Sequence, residues 1–130
     1  MPQLLRQGRW GFGSGVLAGG SYQSPQTDTI MVIEVATFLL KPGVTPAAFH
    51  PYDQAVEAQH VAQQPGFLAR TSAATGEGEW LVVVHWRSVE DAEASMASFA
   101  EAPAAAEFMA HLQPETMQMK HYSTVSDASA

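Results

Sequence analysis

Glu34 and His85 are the side chains of this chain most suited to acid–base chemistry. Each lies in an apolar stretch, residues 30–40 and 79–87, with the β-branched and aromatic content of a strand. If these strands are adjacent and antiparallel, Glu34 and His85 become cross-strand neighbours, with Arg70 of a third strand nearby. A carboxylate beside an imidazole forms an acid–base pair. The alternative is a half-buried polar cluster at a subunit interface, which fixes register without chemistry.

His60 is a further candidate base. It follows Phe49, Tyr52 and Val56 at helical spacing, so it is expected on the inward face of a helix over residues 47–64. A base in an apolar pocket can abstract a proton from a bound substrate. The alternatives are a core histidine with a satisfied hydrogen bond and a slightly rotated helix that brings His60 to solvent.

Aromatic and methionine side chains are expected to line a ligand cavity between the sheet and the helices. The same residue types are ordinary core filler, so each is also explained by packing alone. The candidate substrate-binding residues are Tyr52, Trp86, Arg70, Met96, Phe99 and Met109.

Several kinds of site are excluded or disfavoured. The chain has no cysteine, which excludes a disulfide scaffold, a thiolate metal site and a cysteine nucleophile. There is no His-Glu-x-x-His motif and no close cluster of His, Asp and Glu, so no metal is expected. The glycine run at residues 11–15 lacks both the spacing and the preceding strand of a dinucleotide fingerprint. We therefore expect no cofactor.

The elements that position these residues alternate in a defined order. Pro42-Gly43, Pro65-Gly66 and the turn at 75–78 separate the periodic segments. Pro103 divides the second helix and Pro114 is expected to end it. The predicted strands are residues 30–40, 67–74, 79–87 and 117–125, and the predicted helices are residues 47–64, 88–100 and 104–112.

The order β-α-β-β-α-β is that of the ferredoxin-like α+β fold. It predicts a four-stranded antiparallel sheet with the helices on one face. We expect the nearly all-apolar strand face to lie under the helices and the set containing Glu34, Arg70 and His85 to lie on the other face. A bare sheet face must be covered, and a chain of this size has no third layer. The sequence therefore predicts a homodimer that packs sheet against sheet.

Length and charge narrow the class of protein. A chain of 130 residues is one domain by the usual size range. The net charge of −7 disfavours nucleic-acid binding, because phosphate backbones repel an acidic surface. No apolar run reaches the roughly 20 residues that span a bilayer. The expected partners are a second copy of the chain and a small apolar or aromatic ligand.

Residues 1–29 differ in composition from residues 30–125, which form the predicted domain; residues 126–130 are a short tail. The first segment is rich in glycine and serine and is expected to be a flexible leader. An alternative is that the native start is Met31. The glycines between Trp10 and Gly20 interrupt any apolar signal region, so a cytoplasmic location is expected. A further alternative is an interaction protein that uses the leader as a tether.

Four short motifs carry a family resemblance over residues 31–122. They are the strand and turn at 34–43, Gln-Pro-Gly-Phe at 64–67, Val-His-Trp-Arg-Ser at 84–88 and the helical segment 90–96. With them the chain resembles the dimeric α/β-barrel superfamily, and within it the antibiotic biosynthesis monooxygenases. The resemblance implies a homodimer whose two sheets form a barrel, with a ligand cavity between each sheet and its helices.

The resemblance also implies a range of activities. Members include oxygenases that use O2 without metal or flavin, isomerases and haem-degrading enzymes. The Asn of the haem-degrading pattern falls near Ala36, its Trp near Ser95 or Met96 and its His near Phe108 or Met109, so the pattern is not matched. The expected function is a cofactor-independent monooxygenase-like enzyme that removes a proton from a small aromatic or polyketide-like compound, with His60 or His85 as the base and Glu34 as the carboxylate beside His85. The alternatives are an isomerase and a non-catalytic dimeric ligand-binding or stress-related module of the same fold.

Overall fold

Four antiparallel strands form one sheet in the order β2-β3-β1-β4 in the computed structural model, which describes residues 31–128. The expected leader, residues 1–29, lies outside the described residues. Two short 3₁₀ turns, Val61–Gln63 and Phe99–Glu101, follow the first and second helices. The elements are β1 (Val32–Leu40), α1 (Pro46–Gln59), β2 (Phe67–Ala74), β3 (Glu79–Trp86), α2 (Val89–Ser98), α3 (Ala105–Ala110) and β4 (Leu112–Ser123).

The helices begin where the sequence supplies a cap. The Thr45 hydroxyl accepts a hydrogen bond from the backbone N–H of Ala48 at 3.1 Å, and Pro46 occupies the first turn of α1. The Ser88 hydroxyl accepts from the backbone N–H of Asp91 at 3.1 Å and starts α2. The helices pack on one face of the sheet, which confirms the predicted ferredoxin-like α+β architecture.

The predicted boundaries of β4 and of α1 were wrong. β4 starts at Leu112, five residues earlier than expected, and runs through Pro114. β4 is an edge strand, where proline removes no ladder hydrogen bond that the sheet needs. The pairing of β1 with β4 shifts register between Thr37 and Leu39, and there the Thr116 hydroxyl accepts the backbone N–H of Leu39 at 2.9 Å. α1 ends at Gln59, before His60.

An aromatic cluster forms the centre of the core. The Phe49 ring lies edge-on to Trp80, with ring centroids 4.8 Å apart, and to Phe38 at 5.8 Å. Phe108 of α3 meets Phe38 at 5.6 Å. Edge-to-face pairs of this kind add about 0.5–1.5 kcal/mol each to the burial of the rings. This packing fixes the helices against one end of the sheet.

No helix formed by residues 31–128 packs on the other face of the sheet. Its central positions are apolar and partly exposed within the single chain: Ile33, Val35, Leu81 and Val83, with Leu39 at 40% exposure. The expected uncovered sheet face is therefore present in the part of the chain that the structure describes.

Candidate active site

A cavity of about 380 Å³ lies between the inner face of the sheet and the helices. Its wall is mostly apolar. Four of the six methionines of the chain line it: Met96, Met109, Met117 and Met119. Methionine is flexible and polarizable, so such a wall adapts to the outline of a flat ligand. The polar residues of the wall are Glu34, Arg70 and Ser95.

Glu34 is held from two neighbouring strands. The indole N–H of Trp86 on β3 donates to Glu34 Oε1 at 3.1 Å. Nε2 of His121 on β4 lies 3.4 Å from the same oxygen. Glu34 stands directly opposite His121 in the β1–β4 ladder, and Trp86 is its diagonal neighbour on β3. The Glu34 side chain retains 14% exposure and is one of the residues that line the cavity.

The expected pairing of Glu34 with His85 was wrong. His85 lies opposite Ile33 in the β1–β3 ladder, whereas Glu34 lies opposite Val84. Because side chains alternate between the faces of a strand, His85 is on the uncovered face and Glu34 is under the helices. Glu34 shares its face with buried Val32, Ala36 and Phe38, so the charged residue does not mark the outer face.

Arg70 also lies under the helices, contrary to expectation, and is paired there. Its guanidinium makes a two-pronged contact with Asp53 of α1, with distances of 2.8 and 3.0 Å, and a third contact with Glu57 at 3.1 Å. The Ser72 hydroxyl donates to Asp53 at 2.6 Å. Both the Arg70 and Asp53 side chains are only 3% exposed. Such a pair is tolerated in the interior because its hydrogen bonds replace those to water.

One row across the sheet contains the charged groups of the site. The ladder registers place Arg70, Val84, Glu34 and His121 side by side on four successive strands. With strands about 4.8 Å apart, the Arg70 and Glu34 backbones are roughly 10 Å apart across Val84. The cavity thus has a carboxylate and a guanidinium in its wall, with an apolar surface between them.

His60 is the residue that caps the C-terminal end of α1, and it is buried at 6% exposure. Its Nε2 is 2.9 Å from the Ser98 hydroxyl, and its ring is edge-on to Phe99. Nδ1 is buried without a hydrogen-bond partner among residues 31–128. Burial lowers the pKa of His60, because desolvation disfavours the charged ring. His60 is not among the residues of the cavity wall.

Five of the six candidate ligand-contacting residues line the cavity, and Tyr52 does not. Tyr52 lies outside the wall and stacks on His111, with ring centroids 4.0 Å apart. Sequence reasoning missed Ser95, Met117, Met119 and the neighbouring His121. The last three occupy alternate positions of β4, a period-2 signal that becomes informative once the start of the strand is known. The residues that do line the cavity are Trp86, Arg70, Met96, Phe99 and Met109.

Residues 31–128 contain no group of three or more His, Asp or Glu side chains arranged to hold a metal ion. In the same range, no helix is long and apolar enough to cross a bilayer.

Several solved structures share this fold. A single-residue variant of SnoaB, a cofactor-independent oxygenase from Streptomyces nogalater, superposes with a TM-score of 0.61 at 20% identity, over 75% of this chain and 95% of that chain. A candidate antibiotic biosynthesis monooxygenase from Caulobacter crescentus gives 0.60 at 20% identity, over 74% and 91%. A protein of unknown function from Nitrosomonas europaea gives 0.58 at 15% identity, over 79% and 97%.

The likeness is one of structure. No family model matches the sequence, and no curated protein matches it. At these identities a shared fold does not fix a shared reaction. The chain has the fold of the antibiotic biosynthesis monooxygenase-like proteins.

Proposed function

We propose that this protein is a cofactor-independent monooxygenase-like enzyme that acts on a small aromatic or polyketide-like compound, with Glu34 as its general base. The observation that carries the proposal is the Glu34 carboxylate in the wall of an apolar cavity of about 380 Å³. A cavity of that size suits a ligand of two or three rings. SnoaB, whose structure is similar, is a cofactor-independent oxygenase.

Glu34 is preferred to the two histidines as the base. His85 lies on the face of the sheet away from the cavity, and His60 is absent from the cavity wall. Glu34 alone of the three lies in that wall. Its Oε1 accepts the Trp86 N–H, which leaves Oε2 for the substrate proton.

The proposed reaction starts at a ring methylene made acidic by conjugation to a carbonyl. Glu34 takes one proton, and the C–H electron pair is delocalised onto the carbonyl oxygen. O2 then adds to the carbon and is reduced to the peroxide level as the carbon is oxidised. The peroxide takes up the proton, and the O–O bond breaks with loss of the second hydrogen and one oxygen as water. The balance is CH2 + O2 giving C=O + H2O.

The rest of the cavity binds and orients the rings. The apolar wall, with Trp86, Met96 and Phe99, excludes water and packs on the faces of the substrate. We assign Arg70 to the oxygen substituents, because it is the cationic side chain of the wall. Its charge is already opposed by Asp53 and Glu57, so a neutral, hydroxylated ligand fits this end of the cavity better than an anion.

We also propose a homodimer formed by the uncovered sheet face. Ile33, Val35, Leu81 and Val83 present an apolar surface that a second copy can cover by sheet-to-sheet packing. His85 lies on this surface and would then be an interface residue. A cytoplasmic location stays a prediction of the sequence.

Oxygen uptake with dithranol, a hydroxylated three-ring anthrone, tests the proposed function. We expect stimulated uptake by the wild-type protein and a loss of about 100-fold or more in Glu34→Gln, which keeps the shape and removes the base. Glu90→Gln is the matched control, because Glu90 is exposed on α2.

The other outcomes separate the alternatives. Equal uptake by wild type and Glu34→Gln contradicts the proposed role of Glu34. Quenching of tryptophan fluorescence by dithranol without any O2 uptake favours the ligand-binding module. Rearrangement of the substrate without O2 uptake favours the isomerase.

A further inference from the structure

Trp86 belongs to the cavity wall and also contacts the proposed base. It lines the cavity and is only 1% exposed. Its indole N–H lies 3.1 Å from Glu34 Oε1. An indole nitrogen can donate a hydrogen bond but cannot accept one. The direction of this contact is therefore settled by the chemistry of the indole, and Oε1 is the acceptor.

The indole ring is itself held in place by its neighbours in the sheet. Trp86 lies opposite Val32 of β1 and opposite Phe67 of β2 in the two ladders that flank β3. Its ring is edge-on to Phe67, with ring centroids 6.1 Å apart. Side chains packed in an interior stay in one rotamer. The N–H is thus presented to Glu34 from a fixed direction.

The two carboxylate oxygens of Glu34 have different surroundings. Oε1 accepts the Trp86 N–H, and Nε2 of His121 lies 3.4 Å from the same oxygen. Among residues 31–128, Oε2 has no hydrogen-bond partner, yet it is not one of the unpaired polar atoms that are closed to solvent. Because Glu34 is a residue of the cavity wall, Oε2 is the oxygen left open to a ligand.

We propose that Trp86 is a positioning residue for Glu34, whose N–H holds Oε1 so that Oε2 meets the substrate proton. This proposal rests on the proposed function and deepens it. The terminal torsion of a glutamate is broad, so an unheld carboxylate rotates and is aligned with the C–H bond less often. No proton passes through the indole. The substrate C–H breaks, an O–H forms at Oε2, and the Trp86 N–H stays on Oε1 throughout.

Trp80 provides a matched control on the same strand. It lies on the same face of β3 and is 4% exposed, but it is outside the cavity wall, and its N–H has no partner among the described residues. Trp86→Phe and Trp80→Phe remove the same atoms, and only the first removes a hydrogen bond to Glu34.

Oxygen uptake with dithranol measures the effect of the two variants. We expect kcat to fall about tenfold in Trp86→Phe while KM changes less than about threefold, because the remaining ring still packs on the ligand. Both constants should stay near the wild-type values in Trp80→Phe. Wild-type kcat in folded Trp86→Phe, or an equal loss in Trp80→Phe, overturns the proposal. If Glu34→Gln is inactive in the same assay, the proposed function still stands.

A double variant separates positioning of the base from support of the wall. If Trp86 acts through Glu34, its N–H has no further effect once the base is removed. Trp86→Phe combined with Glu34→Gln should therefore have the residual rate of Glu34→Gln alone. A further loss of about tenfold in the double variant would show that Trp86 acts independently of Glu34 and would overturn the proposal.

Nitrogen-15 NMR of the indole N–H groups tests the contact without any activity assay. Glu34→Gln replaces a charged acceptor with a neutral one, which weakens the hydrogen bond. We expect this change to shift the Trp86 indole resonance and to leave that of Trp80 in place. An unmoved Trp86 resonance overturns the proposal. The measurement holds even if dithranol is not a substrate, so the two proposals fail separately, and it decides if Trp86→Phe does not fold.

Discussion

Two groups of charged side chains in the described interior have compensating partners. Glu34 has the Trp86 N–H and His121, and Arg70 has Asp53, Glu57 and Ser72. An unpaired buried charge would cost several kcal/mol, whereas one with hydrogen-bonded partners is retained at a small net cost. Of these two groups, the one around Glu34 is the better candidate for a base, because the carboxylates of Asp53 and Glu57 already form ion pairs with Arg70.

His60 gives a prediction about stability and pH. Burial lowers its pKa in the folded protein below the ordinary value of about 6.5. Between the two pKa values the unfolded chain binds more protons than the folded one, so stability rises with pH across that window. The contribution of the neutral, buried His60 ring to stability is lost as the pH falls from about 6.5 through the folded-state pKa. We therefore expect His60→Gln to flatten the pH dependence of the free energy of unfolding on the acid side of neutrality.

Urea denaturation at a series of pH values checks this expectation. His50→Gln is the control, because His50 is exposed on the same helix and should keep the wild-type slope. Identical slopes for wild type and His60→Gln would show that the buried ring does not contribute to acid sensitivity.

At the scale of elements, the sequence predicted the order of strands and helices better than it predicted which face a residue occupies or where a strand begins. The order of strands and helices, their caps and the turn at Pro65-Gly66 followed from local signals. The face occupied by Glu34 was predicted wrongly. Its charge led to an assignment to the outer face, although the period-2 pattern places it on the same face as Val32, Ala36 and Phe38. The cross-strand contact with His121 depended on the register of β4. The start of β4 was predicted too late because Pro114 was taken as the end of the preceding helix. The proline is tolerated within β4 because this strand is at the edge of the sheet.

The Gly66 turn gives a prediction about an element junction. Gly66 has φ +83°, and a side-chain carbon there would collide with the Asp91 side chain. Asp91 in turn accepts the Ser88 hydroxyl at 3.0 Å at the start of α2. Gly66→Ala therefore combines backbone strain with loss of space beside the cap, and we expect it to lower the free energy of unfolding by roughly 2–3 kcal/mol.

Gly43→Ala is the matched control for that variant. Gly43 has φ +89°, but a side-chain carbon there meets nothing within 4 Å. It should show the backbone effect alone, about 1 kcal/mol. Equal losses in the two variants, measured by thermal or urea unfolding, would contradict the role assigned to Asp91.

At the scale of the whole molecule, the two faces of the sheet have different roles. The inner face carries the cavity with the proposed base Glu34, and the outer face carries the proposed interface. Val83→Glu places a charge at the centre of the outer face, where burial against a second copy would leave it unpaired. We expect the variant to be a monomer by light scattering, near the chain mass of 13.9 kDa, while wild type has twice that mass.

Thr71→Glu is the control for the assembly state. Thr71 is exposed on the same face, at the edge strand β2. It should weaken the dimer less than Val83→Glu does, because a charge at the rim of an interface stays hydrated. A monomeric wild-type protein would show that the outer face is not covered by a second copy.

Hydrogen–deuterium exchange of the dithranol methylene, without O2, is the most direct test of the central claim that Glu34 removes a proton from a bound aromatic compound. The experiment isolates proton abstraction from every later step. We predict that wild type accelerates exchange into deuterated buffer about 100-fold over Glu34→Gln, and that Glu90→Gln exchanges like wild type. Exchange at the same rate with wild type and Glu34→Gln, under conditions where both bind the compound, would contradict the account.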